Sequence, residues 1–414
     1  MTYSGRMAEP SGTRGTAGTD AAAGVSGAGA PASVSGAGAR AGVSGAHAPA
    51  SLSGAHAPAS LLIVGGYGIV GAQVARILRR RNPSLRILIA GRTPEKARAL
   101  AAELGHAEGV RFDVDDPGSL GRLAEPPQLI LLAVNDLRDV TLNAAIAAGT
   151  ALVDITRWTA RVRDLEAICK RSTLRAPVVQ GSAWMACIPG ALALASAASL
   201  ESVDSIDISI LYALKDKSGD DSVEYMDRLT VPFPVIRDGQ SAMAIPFTES
   251  REATFANGHA TRVYRFDTPD QHILPRRAKA KSVAAFIAFD DRTTMRVFWL
   301  IVRSGLWDLM SGERFTKLRR GLLHNPGPGA PHHVRVDIAG TSGGKPVHRT
   351  IQITDPAGQT HLTAVGAALQ AEWVLGLNGF AAIAPGLQYG EDIAPSATLR
   401  AALESEAIAV LETP

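Results

Sequence analysis

A glycine-rich segment that begins at residue 65 has the residue types and the spacing of a dinucleotide-binding loop. Gly66, Gly68 and Gly71 form the pattern G-x-G-x-x-G, directly after the apolar run 61–64. In such a loop the first glycine permits a tight turn, the second lets a pyrophosphate approach the backbone, and the third allows close packing of helix on strand. The helix that follows turns its free N–H groups toward the pyrophosphate. The predicted loop also contains three residues that lie between these glycines: Tyr67, Ile69 and Val70.

The residues after the second apolar run indicate which dinucleotide binds. The run 85–90 is followed by Gly91-Arg92-Thr93. An NAD-binding domain carries an acidic residue for the ribose 2′-hydroxyl about 20 residues after the glycines, and this sequence has none there. Arg92 instead offers a planar cation that suits a phosphate, and Thr93 adds a hydroxyl. We therefore predict NADP as the cofactor; the alternative is that Arg92 is an ordinary exposed loop residue.

Three more residues are predicted to contact the cofactor because of their place in the strand pattern. In open parallel sheets, ligands bind in the crevice outside the carboxyl ends of the strands. Asp113 ends the third predicted strand, 109–113, and Asn135 follows the fourth, 129–134. We therefore predict cofactor contacts by Asp113, Val134 and Asn135.

Strands and helices alternate along the first part of the chain. Segments with helical spacing of apolar residues separate six runs of strand length: 61–64, 85–90, 109–113, 129–134, 150–154 and 177–180. This alternation predicts an α/β fold with a Rossmann-type doubly wound parallel sheet over residues 61–185.

The pattern changes after Gly190. Apolar and polar residues then alternate with a period of two, as in half-buried strands, in four segments: 203–213, 261–266, 334–338 and 349–353. We predict a second α+β domain over residues 186–380, with a mixed or antiparallel sheet, which binds substrate or forms a dimer.

The first sixty residues have a different composition from the rest. Residues 1–60 are rich in Ala, Gly, Ser and Pro, and a nonapeptide recurs four times between residues 25 and 60. One Val or Leu in nine residues cannot offset the entropy that is lost on ordering the backbone. We predict a disordered tail, with a docking role as the alternative.

The composition excludes several classes of protein. Lys and Arg total 42 against 39 Asp and Glu in 414 residues, and this net charge of +3 excludes a generic polyanion-binding protein. Only Cys169 and Cys187 occur, which excludes a disulfide scaffold and a Cys-rich zinc site. The apolar run 61–75 is shorter than the roughly 20 residues that span a bilayer, and the N-terminus lacks the basic start and apolar core of a secretory signal. We expect a soluble cytoplasmic protein with a small-molecule substrate and without nucleic acid, stable membrane insertion or a metal site.

Three segments together resemble the saccharopine dehydrogenase-like family, in its saccharopine reductase branch. They are the glycine loop 63–71 with Gly91-Arg92-Thr93, the strand 148–156, and the turn 180–190, which ends in Pro189-Gly190. The likeness extends over residues 61–200 and departs from the family at 151–152, where relatives often have an aromatic residue. The resemblance implies an NADP-dependent oxidoreductase that transfers a hydride to or from a carbon–nitrogen bond of an amino-acid-like substrate.

The family is broad, so the resemblance leaves other functions open. Some relatives reduce carbon–carbon double bonds in lipid precursors, and a third alternative is a non-catalytic NADP-binding scaffold or sensor. The resemblance also implies that residues 381–414 return to the first domain, and that two copies can pair through the sheet of the second domain as a homodimer.

Four residues are candidates for the hydride-transfer site. Asp154 ends a strand on the cofactor side and could orient a substrate ammonium or acid group, or cap the next segment. Trp184 and Cys187 lie on the following strand-to-helix turn and are expected to face the nicotinamide, with Cys187 as a pocket-lining residue rather than a nucleophile. Tyr212 ends a strand of the second domain and could donate a proton. Two further residues could bind a substrate carboxylate: Arg157 and Arg161.

The segment 295–310 is the least usual part of the second domain. Arg296 and Arg303 lie two helical turns apart on one narrow face, and the other positions are apolar nearly all round, with Trp299 and Trp307. Such a helix is expected to be buried on most sides, in a core or a dimer interface. The alternatives are one wall of an apolar substrate pocket and a helix that touches a membrane.

Overall fold

The computed structural model of the chain describes residues 59–182, 184–217, 228–310, 315, 329–393 and 396–414. These residues belong to one compact unit, His56–Pro414. The predicted tail, apart from its last two residues, lies outside the described residues.

Strands and helices follow one another along the described part of the chain. The strands are β1 Ser60–Val64, β2 Arg86–Gly91, β3 Ala107–Arg111, β4 Leu129–Leu132, β5 Ala151–Asp154, β6 Pro177–Gln180, β7 Ser202–Tyr212, β8 Phe233–Arg237, β9 Gln240–Ala244, β10 Ser250–Thr254, β11 Ala260–Arg265, β12 Ser282–Phe289, β13 His332–Ser342, β14 Lys345–Asp355, β15 Gly386–Tyr389 and β16 Ala409–Thr413. The helices are α1 Ile69–Arg81, α2 Pro94–Leu104, α3 Val140–Ala148, α4 Thr159–Arg171, α5 Ile188–Ala197, α6 Asp270–Arg277, α7 Arg292–Arg303, α8 Leu306–Met310, α9 Gln359–Leu375 and α10 Ser396–Ser405. Short 3-10 helices lie at Leu120–Arg122, Met185–Cys187 and Gly390–Asp392.

The first sheet is a doubly wound parallel sheet. Its seven strands follow the order β15-β6-β5-β4-β1-β2-β3, and every neighbouring pair is parallel. Successive side chains of a strand point to opposite faces, so Leu61 and Ile63 join one apolar core while Leu62 and Val64 join another. The predicted Rossmann-type sheet is confirmed.

The second sheet is mixed. Its order is β10-β11-β12-β7-β13-β14-β16, with β7 and β12 parallel and the other neighbouring pairs antiparallel. Strands β8 and β9 form a separate antiparallel hairpin. The predicted α+β domain with a mixed or antiparallel sheet is confirmed.

The last part of the chain contributes to both sheets. Strand β15 extends the first sheet beside β6, whereas β16 pairs with β14 in the second sheet. Helix α9, which we assigned to the second domain, packs against α1, β4 and β5 of the first. The helix carries apolar side chains on several of its sides, and Leu362, Val365 and Leu369 among them are buried. A helix of this kind packs against more than one neighbour.

Helices α7 and α8 carry the apolar segment 295–310 and are buried on one side only. Met295, Val302 and Trp307 are buried, whereas Val297 and Leu300 are more than half exposed. The expectation that this segment is buried on most sides is therefore wrong, because the side that carries Val297 and Leu300 is exposed.

None of the helices that the structure describes has both the length and the apolar character needed to cross a membrane.

Candidate functional site

A cleft with a volume of about 590 Å³ opens at the carboxyl ends of the strands of the first sheet. Ligands of open α/β sheets bind at this edge, and the volume is in the range of small-molecule sites. Loops after β1 to β6 and the first turn of α9 form its walls. The lining residues are Val64, Gly65, Tyr67, Gly68, Ile69, Val70, Gly91, Arg92, Phe112, Asp113, Val114, Asp115, Ala133, Val134, Asn135, Ile155, Thr156, Trp158, Trp184, Gln359, Thr360 and Thr363.

The glycine loop forms the floor of the cleft. A Cβ atom on Gly66 would lie 2.7 Å from the carbonyl oxygen of Ile63, and one on Gly71 would clash with the backbone of Gly65. A Cβ on Gly68 would meet no described protein atom closer than 3.1 Å. The protein's own packing therefore requires glycine at 66 and 71, whereas Gly68 keeps the space above the loop open. Among the described residues no side chain caps the N-terminus of α1 at Gly68, so its N–H groups are available to an anion.

Tyr67 and Arg92 connect the glycine loop with the loop after β2. The backbone N–H of Thr93 donates to the Tyr67 hydroxyl at 3.0 Å, and the Tyr67 ring packs so closely on Gly91 that a Cβ there would clash. Arg92 is exposed and lines the cleft. Its guanidinium makes no ion pair or hydrogen bond with any other residue that the structure describes, so it remains available to a ligand phosphate.

Asp113 lines the same half of the cleft. Strand β3 ends at Arg111, two residues earlier than the sequence predicted, so Asp113 lies in the loop beyond it. Its Oδ1 accepts from the N–H of Asp115 at 3.1 Å, and its own N–H donates to Ser119 Oγ at 3.1 Å. The Asp113 carboxylate therefore stabilises the loop after β3, which forms part of the cleft wall.

The end of β5 carries a buried network of ion pairs. Asp154 is fully buried; its Oδ1 accepts from Thr156 N–H at 3.0 Å, and its Oδ2 from Arg157 Nε at 2.6 Å. Arg157 also pairs with Asp139 at 2.7 Å, and Arg161 binds both oxygens of Asp139, at 3.0 and 2.6 Å. The groups that we predicted to hold a substrate ammonium or carboxylate thus bind one another. Thr156, rather than Asp154, faces the cleft.

Trp184 lies on a conformationally strained turn and lines the cleft. Four residues of the turn, none of them glycine, have left-handed backbone angles: Ser182, Met185, Ala186 and Cys187. Such conformations cost energy and persist where the surrounding structure enforces them. The Gln370 amide of α9 donates to the carbonyl oxygens of Ala186 at 2.9 Å and Gly181 at 3.3 Å. Phe266 packs on the Trp184 indole edge to face, with ring centroids 5.3 Å apart.

Cys187 and Tyr212 are absent from the described lining of the cleft. The Cys187 thiol is buried 3.9 Å from the carbonyl oxygen of Gln180, and burial raises the pKa of this thiol well above its usual value. The Tyr212 hydroxyl donates to the carbonyl oxygen of Lys217 at 3.3 Å, and its ring contacts His332. The structure therefore brings Trp184 to the cleft but not these two side chains.

Two buried carboxyl groups lie behind the Trp184 turn. A Cβ on Gly190 would lie within 2.9 Å of both Asp270 and Glu391. Burial raises the pKa of Asp270 to about 6, and burial together with the nearby Asp270 charge raises that of Glu391 to about 8. Glu391 is therefore mainly protonated at neutral pH.

The first turn of α9 completes the cleft and was not predicted. Gln359, Thr360 and Thr363 line it, and Gln73 Nε2 of α1 donates to Thr360 Oγ1 at 3.1 Å. Gly358, with φ +102°, precedes the helix. The spacing of Val365, Leu369 and Trp373 predicts a helix here, but it does not indicate which domain the helix contacts.

Comparison with known proteins identifies the first domain. Residues 61–176 match the family model for the saccharopine dehydrogenase NADP binding domain. The first domain is a saccharopine dehydrogenase-type NADP-binding domain. The resemblance and the cofactor that the sequence predicted are confirmed, whereas the individual contacts, including that of Arg92, stay predictions.

The fold likeness to a solved structure extends beyond this domain. Apo saccharopine dehydrogenase (L-Glu forming) from Saccharomyces cerevisiae is 14% identical with a TM-score of 0.61, over 86% of this chain and 99% of that chain. A C. glutamicum DAP dehydrogenase in complex with DAP is 14% identical with a TM-score of 0.42, over 81% and 94%. No curated protein sequence matches the chain. The domain match supports an NADP-linked oxidoreductase, and the yeast structure shows that the fold is shared.

The residues of the cleft fit NADP. The open space above Gly68 and the uncapped start of α1 suit the pyrophosphate. The Arg92 guanidinium, which pairs with no described residue, suits the 2′-phosphate. The two halves of such a domain each hold one mononucleotide, so the nicotinamide would lie toward β4, β5 and β6. Asn135, Thr156 and Trp184 line that half.

Proposed function

We propose that the protein is an NADPH-dependent reductase of a carbon–carbon double bond in an apolar substrate. The observation that carries this proposal is the lining of the β4–β6 half of the cleft, where Ile155, Trp158 and Trp184 present apolar surface. Indole rings contribute large apolar contact areas. Bound NADPH supplies the hydride, and the chain positions the substrate.

The charges near this half of the cleft favour an apolar substrate over an amino acid. An amino acid brings a carboxylate and an ammonium, and burying either group without a partner is costly. Asp154, Arg157 and Arg161 are already in ion pairs with protein groups. The Arg228 guanidinium stacks on Trp158, 5.1 Å from the ring centroid, and is outside the described lining.

The Asn135 carboxamide, in the lining of this half, has N–H donors that can orient a carbonyl group next to the double bond. Thr156 Oγ1 donates its one hydrogen to Asp154 Oδ1 at 2.7 Å, so at the cleft wall this hydroxyl is an acceptor and does not bind the carbonyl oxygen. Asn135 lies beside it in the lining. None of the described residues that line this half carries a titratable side chain, so the proton source in this proposal is water that enters the cleft.

A second candidate is hydride transfer to a carbon–nitrogen bond of an amino-acid-like substrate. The whole-chain fold likeness to saccharopine dehydrogenase (L-Glu forming) favours it. This candidate requires charged groups that the ion pairs of β5 do not supply.

The loss of NADPH absorbance distinguishes these candidates. The full chain is tested with α,β-unsaturated carbonyl substrates of increasing chain length and, separately, with amine and oxo-acid pairs. We expect turnover with the first set only, with kcat/KM rising with chain length because each buried CH₂ contributes about 0.8 kcal/mol. Turnover with the second set only would establish the second candidate. NADPH binding without turnover of either set would contradict both and favour the non-catalytic sensor.

A matched pair of variants tests the aromatic lining. Trp158 and Trp299 are both half-buried, but only Trp158 lines the cleft. Trp158→Leu should lower kcat/KM for the apolar substrate about tenfold, the effect of ~1.4 kcal/mol of lost contact. Trp299→Leu should leave it unchanged, and NADPH affinity should stay the same in both. Equal effects of the two substitutions would refute the assignment of this half of the cleft.

A further inference from the structure

One face of helices α7 and α8 exposes apolar side chains to solvent. The exposed fractions are 51% for Val297, 58% for Leu300, 45% for Leu306 and 64% for Leu309. Single exposed apolar residues are common, but four within residues 297–309 of two contacting helices favour an interaction surface. We call these residues, together with Arg296 and Arg303, the α7–α8 face.

The opposite side of the same helices is firmly packed. The Phe298 ring meets the rings of Phe289 and Trp307 edge to face, each with centroids 5.3 Å apart. Trp299 Nε1 donates to the carbonyl oxygen of Phe247 at 3.2 Å. The helices are thus anchored to the second domain by one side. The exposed leucines cannot turn inward without breaking these contacts, so they remain available to a partner.

The α7–α8 face is positively charged. Arg296, Leu300 and Arg303 follow one another at spacings of four and three residues, so they share one side of α7. Neither arginine is in an ion pair with a described residue. The sequence has no acidic residue from 292 to 307, and residues 292–320 contain seven basic and two acidic residues, whereas the whole chain has 42 and 39. The excess of positive charge is therefore concentrated at this segment.

The acidic groups near the start of α7 are engaged elsewhere. Asp291 Oδ1 accepts from Thr294 N–H at 2.6 Å and caps the helix, and Asp290 Oδ1 accepts from Leu214 N–H at 3.0 Å. Both lie at least one helical turn from the first exposed leucine. Neither carboxylate forms an ion pair with a described arginine of the face.

We propose that the α7–α8 face docks on the surface of an anionic phospholipid bilayer. Leucine and valine side chains enter the boundary of the acyl chains, while the arginines reach the phosphates at the same depth. A second copy of the chain fits less well, because a two-fold contact places this face against itself. Arg296 and Arg303 would then face the same arginines of the second copy, and α7 and α8 contain a single carboxylate, that of Asp308, to offset them.

Vesicle co-sedimentation of the full chain tests the proposal. Binding to phosphatidylcholine vesicles that contain phosphatidylglycerol is compared with binding to phosphatidylcholine alone. We expect binding to the anionic vesicles and a loss with added salt. The double variant Arg296→Gln, Arg303→Gln should bind about 25-fold more weakly, because each basic residue near such a surface contributes about fivefold.

A second double variant tests the apolar contribution. Val297→Ser with Leu300→Ser should weaken binding about tenfold or more, since both side chains lose apolar burial. Leu411→Ser is the matched control, because Leu411 is 61% exposed and lies outside the α7–α8 face. Helix α7 contacts β11 through the rings of Trp299 and Tyr264, close to one edge of the second sheet, whereas Leu411 lies on β16 at the opposite edge. The affinity of the Leu411→Ser protein for vesicles should equal that of the unaltered protein. Because all these positions are exposed, the thermal unfolding midpoints should remain close to that of the unaltered protein.

Two results would overturn the proposal. One is the absence of binding to anionic vesicles, or binding that the arginine and leucine variants leave unchanged. The other is a concentration-dependent dimer in sedimentation equilibrium that Val297→Ser with Leu300→Ser converts to monomer, because a second copy would then cover the face.

Discussion

Arg92 offers the sharpest test of how the cleft recognises its cofactor. NADPH and NADH differ by one phosphate on the adenosine ribose, and Arg92 lies in the loop where that ribose is expected. Its guanidinium lines the cleft and pairs with no other described residue. Arg92→Ala should therefore weaken NADPH binding and leave NADH binding almost unchanged. The fold should persist, because no described contact of the protein depends on this side chain.

The exposure of Arg92 sets the size of the effect. Hydrogen bonds to charged groups contribute roughly 1.5–3 kcal/mol, and screening by solvent at an exposed site favours the lower value. We expect the Kd of NADPH to rise about tenfold. The assay is a fluorescence titration of both nucleotides with both proteins. Arg98→Ala, which removes an exposed arginine that pairs with Glu95 on α2, should change neither Kd. Equal losses for NADPH and NADH in Arg92→Ala would refute the proposed contact.

Three further predictions concern the loop, the turn and the buried acids. Gly68→Val should raise the Kd of NADPH about a hundredfold, which corresponds to ~2.8 kcal/mol. Gly121→Val is the control, because its Cβ meets open space among the described residues, and it should leave this Kd unchanged. Equal affinities of the two variants in calorimetry would refute pyrophosphate binding at the glycine loop. Gln370→Leu leaves two buried carbonyl oxygens without a donor and should cost roughly 2–4 kcal/mol in urea unfolding. Gln240→Leu, at an exposed position of β9, should change stability by less than about 0.5 kcal/mol. Equal effects of the two substitutions would show that the Trp184 turn does not depend on the Gln370 amide. The pKa of Glu391 is raised from 4.5 to about 8, so between these pH values the folded state keeps a proton that the unfolded state releases. The free energy of unfolding should therefore fall by on the order of 4 kcal/mol as the pH rises from about 4.5 to 8. Glu391→Gln should reduce this pH dependence in thermal unfolding measured at several pH values, and an unchanged pH dependence would contradict the buried neutral acid.

The parts of the site that lie close together in the sequence were predictable. Strand β1, the glycine loop and α1 follow one another within residues 60–81, so spacing alone defines the turn. The apolar run of each parallel strand has a period and length that indicate burial on both faces. These local signals were sufficient for the Rossmann-type sheet and for the position of Arg92 at a strand end.

Contacts between distant parts of the chain were not predictable. Thr360 meets Gln73 across 287 residues of sequence, and no local pattern indicates that α9 covers the first sheet. The same holds for β16, which pairs with β14 rather than with the first sheet. An extended amphipathic pattern indicates that a helix buries a face, but the partner of that face depends on the whole topology.

The catalytic candidates show a second limit of sequence reasoning. Asp154 and Arg157 have the residue types of substrate ligands, yet they lie three residues apart and bind one another at 2.6 Å. Cys187 lies on the predicted turn, but left-handed backbone angles from Met185 to Cys187 place its thiol away from the cleft. A residue type at a strand end indicates a region of the fold, and the direction of its side chain depends on turn geometry that single sequences do not encode clearly.

The most direct test of the central claim is the affinity of the unaltered full chain for the two nucleotides. Titration with NADPH and NADH, followed by the quenching of tryptophan fluorescence and checked by calorimetry, measures both Kd values. We predict that NADPH binds at least about tenfold more tightly, the equivalent of ~1.4 kcal/mol. Equal affinity for the two nucleotides, or binding of neither, would contradict an NADPH-dependent reductase.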